Sequence, residues 1–397
     1  MICLRPQADL APLHALSAES WQDLNRQARW YGLLPLVNRR LVQAGPELTI
    51  PSDITGLLRE AYLHTLVENM RQYHTLAQAL TALQAADIPV LLLKGAHLAE
   101  QIYGDIGLRP MADFDLLVPR PGLAAALDAL QRAGFEAERE YIEEADGALH
   151  YHAPALTKNG TALEVHWNLA QPDSPVNPDL AGLWRRAVPV PLSDGPPALG
   201  LAPLDLLLYL CVHASYGHAF SNQLRSLVDI AEVLKVQGRD LNWPTFTEAA
   251  DAWNARKGVY LALRLAVDLL GADVPPAALA ALQPPGFDPR ALEWAQMQLF
   301  RRTPTLSSNF NRLMRRGTPG ERLQALGAAL FPPPAVMGMV YGVAPRSWRM
   351  AGLYPYNAVT RVTGYWRHAL TLLKHDPQRV QEADSSLNLL DWLGIKG

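Results

Sequence analysis

One segment of this chain constrains its fold more than any other feature. It runs from Pro89 to Val118 and reads PVLLLKGAHLAEQIYGDIGLRPMADFDLLV. An apolar run typical of a strand comes first, a Lys-Gly pair ends it, and a helical pattern leads to a second apolar run that opens with two aspartates. Because side chains two residues apart on a strand point the same way, Asp113 and Asp115 are predicted to share one face.

This pair of carboxylates predicts a metal site. Two carboxylates so close repel each other unless a cation lies between them. Mg²⁺ or Mn²⁺ is the natural candidate, because hard divalent ions take carboxylate oxygens and complete their shell with water and phosphate oxygens. The helix predicted after Lys94 and Gly95 would start with unpaired backbone N–H groups, where an anion docks. A DxD pair also occurs as an ordinary solvated strand end, so the surrounding residues carry the argument.

A third carboxylate lies in a later predicted strand. Glu164 belongs to LEVHWNL, and the turn sequence Lys158-Asn159-Gly160 predicts a hairpin that pairs this strand with the segment before it. We therefore expect Glu164 on an antiparallel part of a mixed sheet. His166 is predicted on the same strand face as Glu164, where it either contacts the site or packs as a satisfied buried histidine.

These residues resemble the nucleotidyltransferase superfamily, whose fold is shared with DNA polymerase beta, and within it a bacterial branch of uncharacterised nucleotidyltransferase proteins. The similarity rests on the order of Lys94-Gly95, a following Arg109, the DxD pair and the carboxylate-x-His-Trp strand. Most of the superfamily has a small residue in place of Lys94, whereas the lysine is typical of this branch. The similarity covers 89–168 well and extends weakly to 234.

The resemblance implies an α+β fold: a mixed β-sheet core with flanking helices, preceded by a helical segment and followed by a helical domain. It implies an enzyme that transfers NMP, with AMP from ATP as the first choice, to a small-molecule, peptide or protein, or RNA acceptor and releases pyrophosphate. The alternative is a catalytically silent nucleotide-binding protein or scaffold of the same fold.

The resemblance also implies roles for individual residues. The catalytic and metal-ligating residues are Asp113, Asp115 and Glu164, and the nucleotide- or phosphate-binding residues are Lys94, Gly95 and Arg109. Three carboxylates can hold two metal ions about 4 Å apart. Glu164 would complete the second metal site or act as the base for the acceptor's proton. Further candidates for the site or its surroundings are His166, His213, Arg225 and Asp229.

Several of these residues also have a purely structural interpretation. Lys94 can be a strand-end lysine that reaches solvent, and Arg109 can pair with Asp105 or Asp113. Arg225 and Asp229 are four apart on a predicted helix and can form a buried ion pair.

Two further histidines raise the question of a zinc site. His150 and His152 alternate on a predicted strand, but no cysteine or third histidine stands at ligand spacing, so zinc is disfavoured.

Composition divides the chain into regions. The periodicity predicts an N-terminal helical segment over 1–86, a catalytic core over 87–200 and a helical domain over 201–300, with the Pro- and Gly-rich stretch 171–203 as a linker. Only two cysteines occur among 397 residues, which excludes a disulfide scaffold. The first residues lack the pattern of a secretory signal, so we expect a cytoplasmic protein.

The region 301–397 is basic and rich in aromatic residues. Residues 301–375 contain eleven Lys and Arg against one acid, Glu321, so this stretch carries +10 within a chain of net charge −3. Such a surface fits an anionic partner, namely RNA, a membrane surface or an acidic peptide, or it packs against the acidic remainder of the chain. The uncharged stretch 325–344 is interrupted by three prolines at 332–334, which predicts a buried or interfacial turn instead of a spanning helix.

Overall fold

The computed structural model of the chain describes residues 2–5, 9–45, 48–301, 320, 327, 330–360 and 377–395. Its strands form one mixed sheet. They are β1 (Leu91–Leu92), β2 (Asp113–Leu117), β3 (Glu136–Ala137), β4 (Leu156–Lys158), β5 (Thr161–His166), β6 (Val188–Val190) and β7 (Ala198–Gly200). The order across the sheet is β3-β4-β5-β2-β1-β7-β6. Together with the helices described below, this confirms the predicted α+β class.

Strand β5 pairs with β4 as the sequence predicts, but its pairing with β2 differs from the prediction. β5 is antiparallel to β4, as the predicted hairpin requires, but it is parallel to β2. Asn159 and Gly160 form the turn of that hairpin with φ of 51° and 71°, values that match the two-residue turns favoured between antiparallel strands. The parallel pairing with β2 could not be read from the turn, because it joins strands that the chain does not connect directly.

Helices lie before, within and after the sheet. The N-terminal segment forms α1 (Ala18–Trp30), α2 (Leu34–Gln43) and α3 (Ser52–Ala85). The core adds α4 (Lys94–Gln101), α5 (Leu123–Arg132), α6 (Glu143–Leu149) and α7 (Leu180–Arg186). The stretch after the sheet contains α8 (Pro203–Val212), α9 (Leu224–Gln237), α10 (Trp243–Ala252), α11 (Arg256–Leu270), α12 (Pro276–Leu282) and α13 (Arg290–Leu299).

Two local predictions were wrong. The stretch 171–203 is not only a linker, because it contains α7 and contributes β6 and β7 to the sheet. Pro189 lies in β6, the edge strand, where the missing N–H costs no ladder hydrogen bond. His150 and His152 do not lie on a regular strand: α6 ends just before His150, and His152 forms an isolated bridge to His166.

The two faces of the central strands belong to different hydrophobic cores. Leu92, Phe114 and Leu116 pack in a core with α3 and α5. Leu91 and Leu117 pack on the other side, in a core built mainly from α8, α9 and α11. Since Asp115 lies between Phe114 and Leu116, strand alternation turns its side chain toward the helices that follow the sheet.

The C-terminal region is described in part. It contains α14 (Pro334–Tyr341), a helical stretch over 350–360 and α15 (Pro377–Leu393). The predicted turn region therefore includes a short helix that begins at the third proline. Much of the predicted basic surface, including Arg361 and Arg367, lies outside the described residues. Among the helices that the structure describes, none is both long and apolar enough to cross a bilayer.

Candidate active site

The carboxylates come together through the pairing of two parallel strands. In the register of β2 and β5, Asp115 is the direct partner of Glu164. Asp113 precedes Asp115 by two residues and His166 follows Glu164 by two, so all four side chains share one face of the sheet. Residues adjacent in this sheet are therefore about 50 positions apart in the chain.

Asp115 is the most buried member of this group. Its side chain has no exposed surface, His166 Nε2 lies 2.9 Å from Oδ1, and Lys94 Nζ lies 3.2 Å from Oδ2. Oδ2 forms no hydrogen bond, so the contact with Lys94 is ionic. Burial alone would raise the pKa of Asp115, but Lys94 and His166 outweigh it and hold this pKa well below its usual range. Asp115 is therefore a fixed negative charge at neutral pH.

His166 links the two paired strands. Its Nε2 also lies 3.4 Å from Glu164 Oε2. Burial lowers the pKa of His166, but its hydrogen bonds to Asp115 and Glu164 prevail and raise it. The same hydrogen bond lowers the pKa of Glu164, whose side chain is 28% exposed to the cavity. The sequence left two interpretations of His166, a contact with the site or a satisfied buried histidine. In the structure His166 contacts both carboxylates.

Asp113 behaves differently from Asp115. Burial and the neighbouring charge of Asp115 raise its pKa, against the attraction of Lys94. Two aspartates on one strand face are thereby pushed in opposite directions, a pattern that separates the tasks of paired carboxylates in active sites.

The residues present fit a divalent ion, with a donor set that differs from the predicted one. Asp115, Glu164 and His166 can each offer one ligand atom, and these atoms lie within 4.8 Å of one another. Two carboxylates and an imidazole suit Mn²⁺, and the two carboxylates alone suit Mg²⁺. Asp113 was predicted in this set; it faces the same cavity, but the compact group has His166 in its place.

Lys94 and Gly95 begin α4 beside this group. Leu93 N–H donates to the carbonyl oxygen of Asp115 at 3.0 Å, which fixes the end of β1 against β2. A Cβ on Gly95 would stand 3.4 Å from the Asp113 carbonyl oxygen and 3.7 Å from Arg109 Nη1. Both distances are ordinary van der Waals contacts, so Gly95 lies in the cavity wall beside Asp113 and Arg109.

Arg109 is held by an ion pair different from those predicted. Its Nε and Nη2 donate to the two carboxylate oxygens of Asp229 at 2.9 and 2.8 Å, and both side chains are buried. Tyr103 donates to the same carboxylate at 2.7 Å. Asp105 instead accepts from Gly107 N–H and the Tyr62 hydroxyl. Only the Nη1 side of Arg109 is directed toward Gly95.

Arg225 does not pair with Asp229, although the two share a helix. Its Nη1 donates to the carbonyl oxygen of Pro110 at 3.3 Å, and burial together with Arg109 lowers its pKa. The predicted ion pair within α9 is therefore replaced by a pair between Asp229 and Arg109, 120 positions away.

One cavity of about 600 Å³ collects these side chains. The residues predicted from sequence that line it are Lys94, Gly95, Arg109, Asp113, Asp115, Glu164, His166, His213 and Arg225, whereas Asp229 stands behind Arg109. Sequence reasoning considered His152 only for a disfavoured zinc site, and it missed other lining residues, among them Arg29, Trp30, Tyr151, His218 and Asn222. His218 carried a weak signal, since it follows His213 within HASYGH, but Arg29 and Trp30 lie far from every motif.

A distorted helix end positions the two histidines. Residues His213–Gly217 form a π-helical turn after α8, a distortion that occurs frequently at functional sites. Ala219, Phe220 and Asn222 follow with φ of 45°, 60° and 57°, and such left-handed residues cost about 1–3 kcal/mol each. His213 and His218 meet edge to face with ring centroids 4.6 Å apart, and burial lowers the pKa of both.

The family of this chain was determined by comparison with known proteins. No curated protein matches the chain. Among solved structures, the antibiotic-resistance factor ANT(2″)-Ia is 14% identical with a TM-score of 0.33, over 49% of this chain and 96% of its own. A similarity of that size carries no argument here.

A family model described as uncharacterised nucleotidyltransferase matches residues 17–271. These bounds are the N-cap of α1 and the C-cap of α11, so the match includes the N-terminal helices as well as the core. This chain belongs to that family and is a nucleotidyltransferase.

Proposed function

We propose that this nucleotidyltransferase depends on a divalent metal and transfers NMP from an NTP, with AMP from ATP as our first choice. An acceptor oxygen attacks the α-phosphorus, the bond from that phosphorus to the bridging oxygen breaks, and pyrophosphate leaves. The main support is the register of β2 and β5, which sets Asp115 beside Glu164 with Asp113 on the same face.

The proposed metal is Mg²⁺ or Mn²⁺, with Asp115 and Glu164 as its principal protein ligands. Such an ion, when bound, supplies positive charge for the phosphates. Asp113, whose pKa is raised, is suited to take the proton that the acceptor hydroxyl loses. Arg109 Nη1 and Arg225 add positive charge to the cavity wall, where a triphosphate needs it.

The proposed acceptor is a hydroxyl or phosphate group on a small molecule, a peptide or protein, or an RNA end. An RNA acceptor would use the basic C-terminal region, in which Arg346 and Arg349 are exposed. Retention of RNA or anionic liposomes at low salt, lost on Arg346→Gln/Arg349→Gln, would assign that region to an anionic partner. We also propose a cytoplasmic location, because only two cysteines occur in the sequence, as is usual in a reducing compartment.

Calorimetry with the four NTPs in Mg²⁺ tests the proposed function. We expect one NTP to bind the wild-type chain, and we expect the binding to disappear without Mg²⁺ or in the Asp113→Asn/Asp115→Asn double variant. Asp128→Asn is the control, since Asp128 is exposed on α5 outside the cavity. Pyrophosphate release with candidate acceptors then follows for the NTP that binds.

Two results would count against the proposal. No binding of any NTP would favour the silent scaffold. Equal NTP binding by the wild type and the double variant would place the nucleotide away from these carboxylates.

A further inference from the structure

Lys94 is held in the carboxylate cluster itself, and its side chain does not extend freely toward a phosphate. As the first residue of α4 it leaves β1 directly beside Asp115, because the Leu93–Asp115 hydrogen bond fixes the two backbones. Its Nζ lies 3.2 Å from Asp115 Oδ2 and 3.4 Å from His213 Nε2. Only 17% of the Lys94 side chain is exposed. Two partners thus fix the ammonium group, Asp115 through an ion pair and His213 through a hydrogen bond.

The partners of Asp115 limit how many metal ions it can share. His166 occupies Oδ1 and Lys94 lies against Oδ2, so each oxygen already faces a group of the chain. A carboxylate that bridges two metal ions offers one oxygen to each. Here a second ion on Oδ2 would lie next to the Lys94 ammonium, which is 3.2 Å from that oxygen, and the two positive charges would repel each other. Relief of this repulsion would require Asp115 to release Lys94 from a buried ion pair, and separating such a pair is strongly unfavourable.

Charge balance leads to the same limit. The carboxylates of Asp113, Asp115 and Glu164 bring a formal −3, and Lys94 and one divalent ion already supply +3, to which Arg225 in the cavity wall adds further positive charge. A second divalent ion would leave an excess of positive charge in a largely buried cluster before any nucleotide arrives.

We infer that Lys94 takes the place of one of two metal ions, so that this chain binds a single divalent ion and uses a lysine as its second, fixed cation. The inference rests on the proposed function for the meaning of the site, but it concerns a property of the free protein. It changes the role predicted for Lys94 from a phosphate contact alone to a permanent part of the charged cluster.

A Mn²⁺ titration of the full, nucleotide-free chain tests this, with free Mn²⁺ counted by electron paramagnetic resonance. Ions still bound by Asp113→Asn/Asp115→Asn are subtracted as background. We expect one site ion in the wild type and two in Lys94→Met, which keeps the length of the side chain without its charge. Lys94→Arg should keep one ion. Lys235→Met is the control, because Lys235 is exposed on α9 and lies outside the cavity.

Two results of the Mn²⁺ titration would overturn the inference. A wild-type count other than one, or a Lys94→Met count no higher than that of the wild type, would show that Lys94 does not stand in for an ion. Tighter binding of a single ion by Lys94→Met would mean that Lys94 only repels the metal. Circular dichroism establishes that each variant is folded. NTP binding that fails in the wild type would instead reject the proposed function, whatever the ion count.

Discussion

Burial at the level of single residues decides which groups in this protein carry charge. Asp115 stays ionised without solvent because Lys94 and His166 surround it, whereas His97 has no such partner. His97 is buried on α4, and its Nδ1 has no hydrogen-bond partner among the described residues. Burial alone lowers the pKa of His97 to about 4. Burial acts against the charged form of both residues, but only Asp115 has charged partners that keep it ionised.

The buried, unprotonated His97 should make the folded protein less stable in mild acid. Its pKa is lower in the folded than in the unfolded chain, so the unfolded chain binds more protons below pH 6.5 and stability falls with pH down to about 4. The His97 share of this loss is about 2 kcal/mol between pH 7 and pH 5. Chemical denaturation at both pH values should show a smaller loss in His97→Gln than in the wild type.

The control for this prediction is His14→Gln, because His14 is exposed and is not buried by folding. An equal loss of stability in the wild type and in His97→Gln would contradict the assignment. The backbone of Gly200 packs against the same histidine, since a Cβ at position 200 would stand 2.8 Å from His97 Nδ1.

A buried ion pair between two elements holds the loop that leads to the candidate site. Arg109 follows a short 3₁₀ turn, Ile106–Leu108, before β2, and its bidentate pair with Asp229 ties this loop to α9. Asn69 on α3 donates to the Arg109 carbonyl oxygen at 2.8 Å from the other side. The loop that leads to the DxD strand is therefore held by two helices.

Removing one partner of this pair should destabilise the protein strongly. Asp229→Asn leaves the Arg109 guanidinium buried without its countercharge, and we expect a loss of about 3–5 kcal/mol in the free energy of unfolding. Arg109→Met/Asp229→Leu, which removes both charges, should recover part of that loss. Chemical denaturation measures all three proteins.

The Arg256–Asp251 pair is a matched control. It is also bidentate, but both side chains are partly exposed. Asp251→Asn should therefore cost no more than about 1 kcal/mol. Similar costs for Asp229→Asn and Asp251→Asn would mean that burial adds nothing to the pair that holds Arg109.

The sequence predicts the elements of this site better than their partners. Strand alternation and the Asn159-Gly160 turn were enough to predict β2, the β4–β5 hairpin and the faces that carry Asp115 and Glu164. The parallel pairing of β2 with β5 and the Arg109–Asp229 pair join residues far apart in the chain, and no local pattern encodes such contacts. The strands in 171–203 were missed because they are short and rich in proline, so they resemble a linker.

On the scale of the whole molecule, three regions of the chain build one cavity. The N-terminal helices contribute Arg29 and Trp30, the sheet contributes the carboxylates, and the helices after it contribute His213 and Arg225. The family match over 17–271 spans all three regions. The N-terminal helices are therefore part of the site's wall, and this could not be predicted from sequence because no motif marks them.

Trp30 shows what the N-terminal helices add to the cavity. It is the last residue of α1, it lines the cavity, and it is 58% exposed. An exposed indole at the rim offers a flat apolar face to a nucleobase or another planar ring of a substrate, and such stacking contributes about 1–3 kcal/mol. Trp30→Ala should therefore raise the KM for the NTP about tenfold, while Trp30→Phe keeps most of the affinity.

The expected effect is on binding, because Trp30 lies at the rim and the carboxylates lie deeper. With the acceptor at saturation, kcat should stay close to the wild-type value while KM rises. NTP should quench the fluorescence of the wild type more than that of Trp30→Ala. Trp348→Ala is the control, since Trp348 is 85% exposed and does not line the cavity. An unchanged KM in Trp30→Ala would mean that the indole does not contact the nucleotide, and it would leave Arg29 as the residue through which α1 could act on a ligand in the cavity.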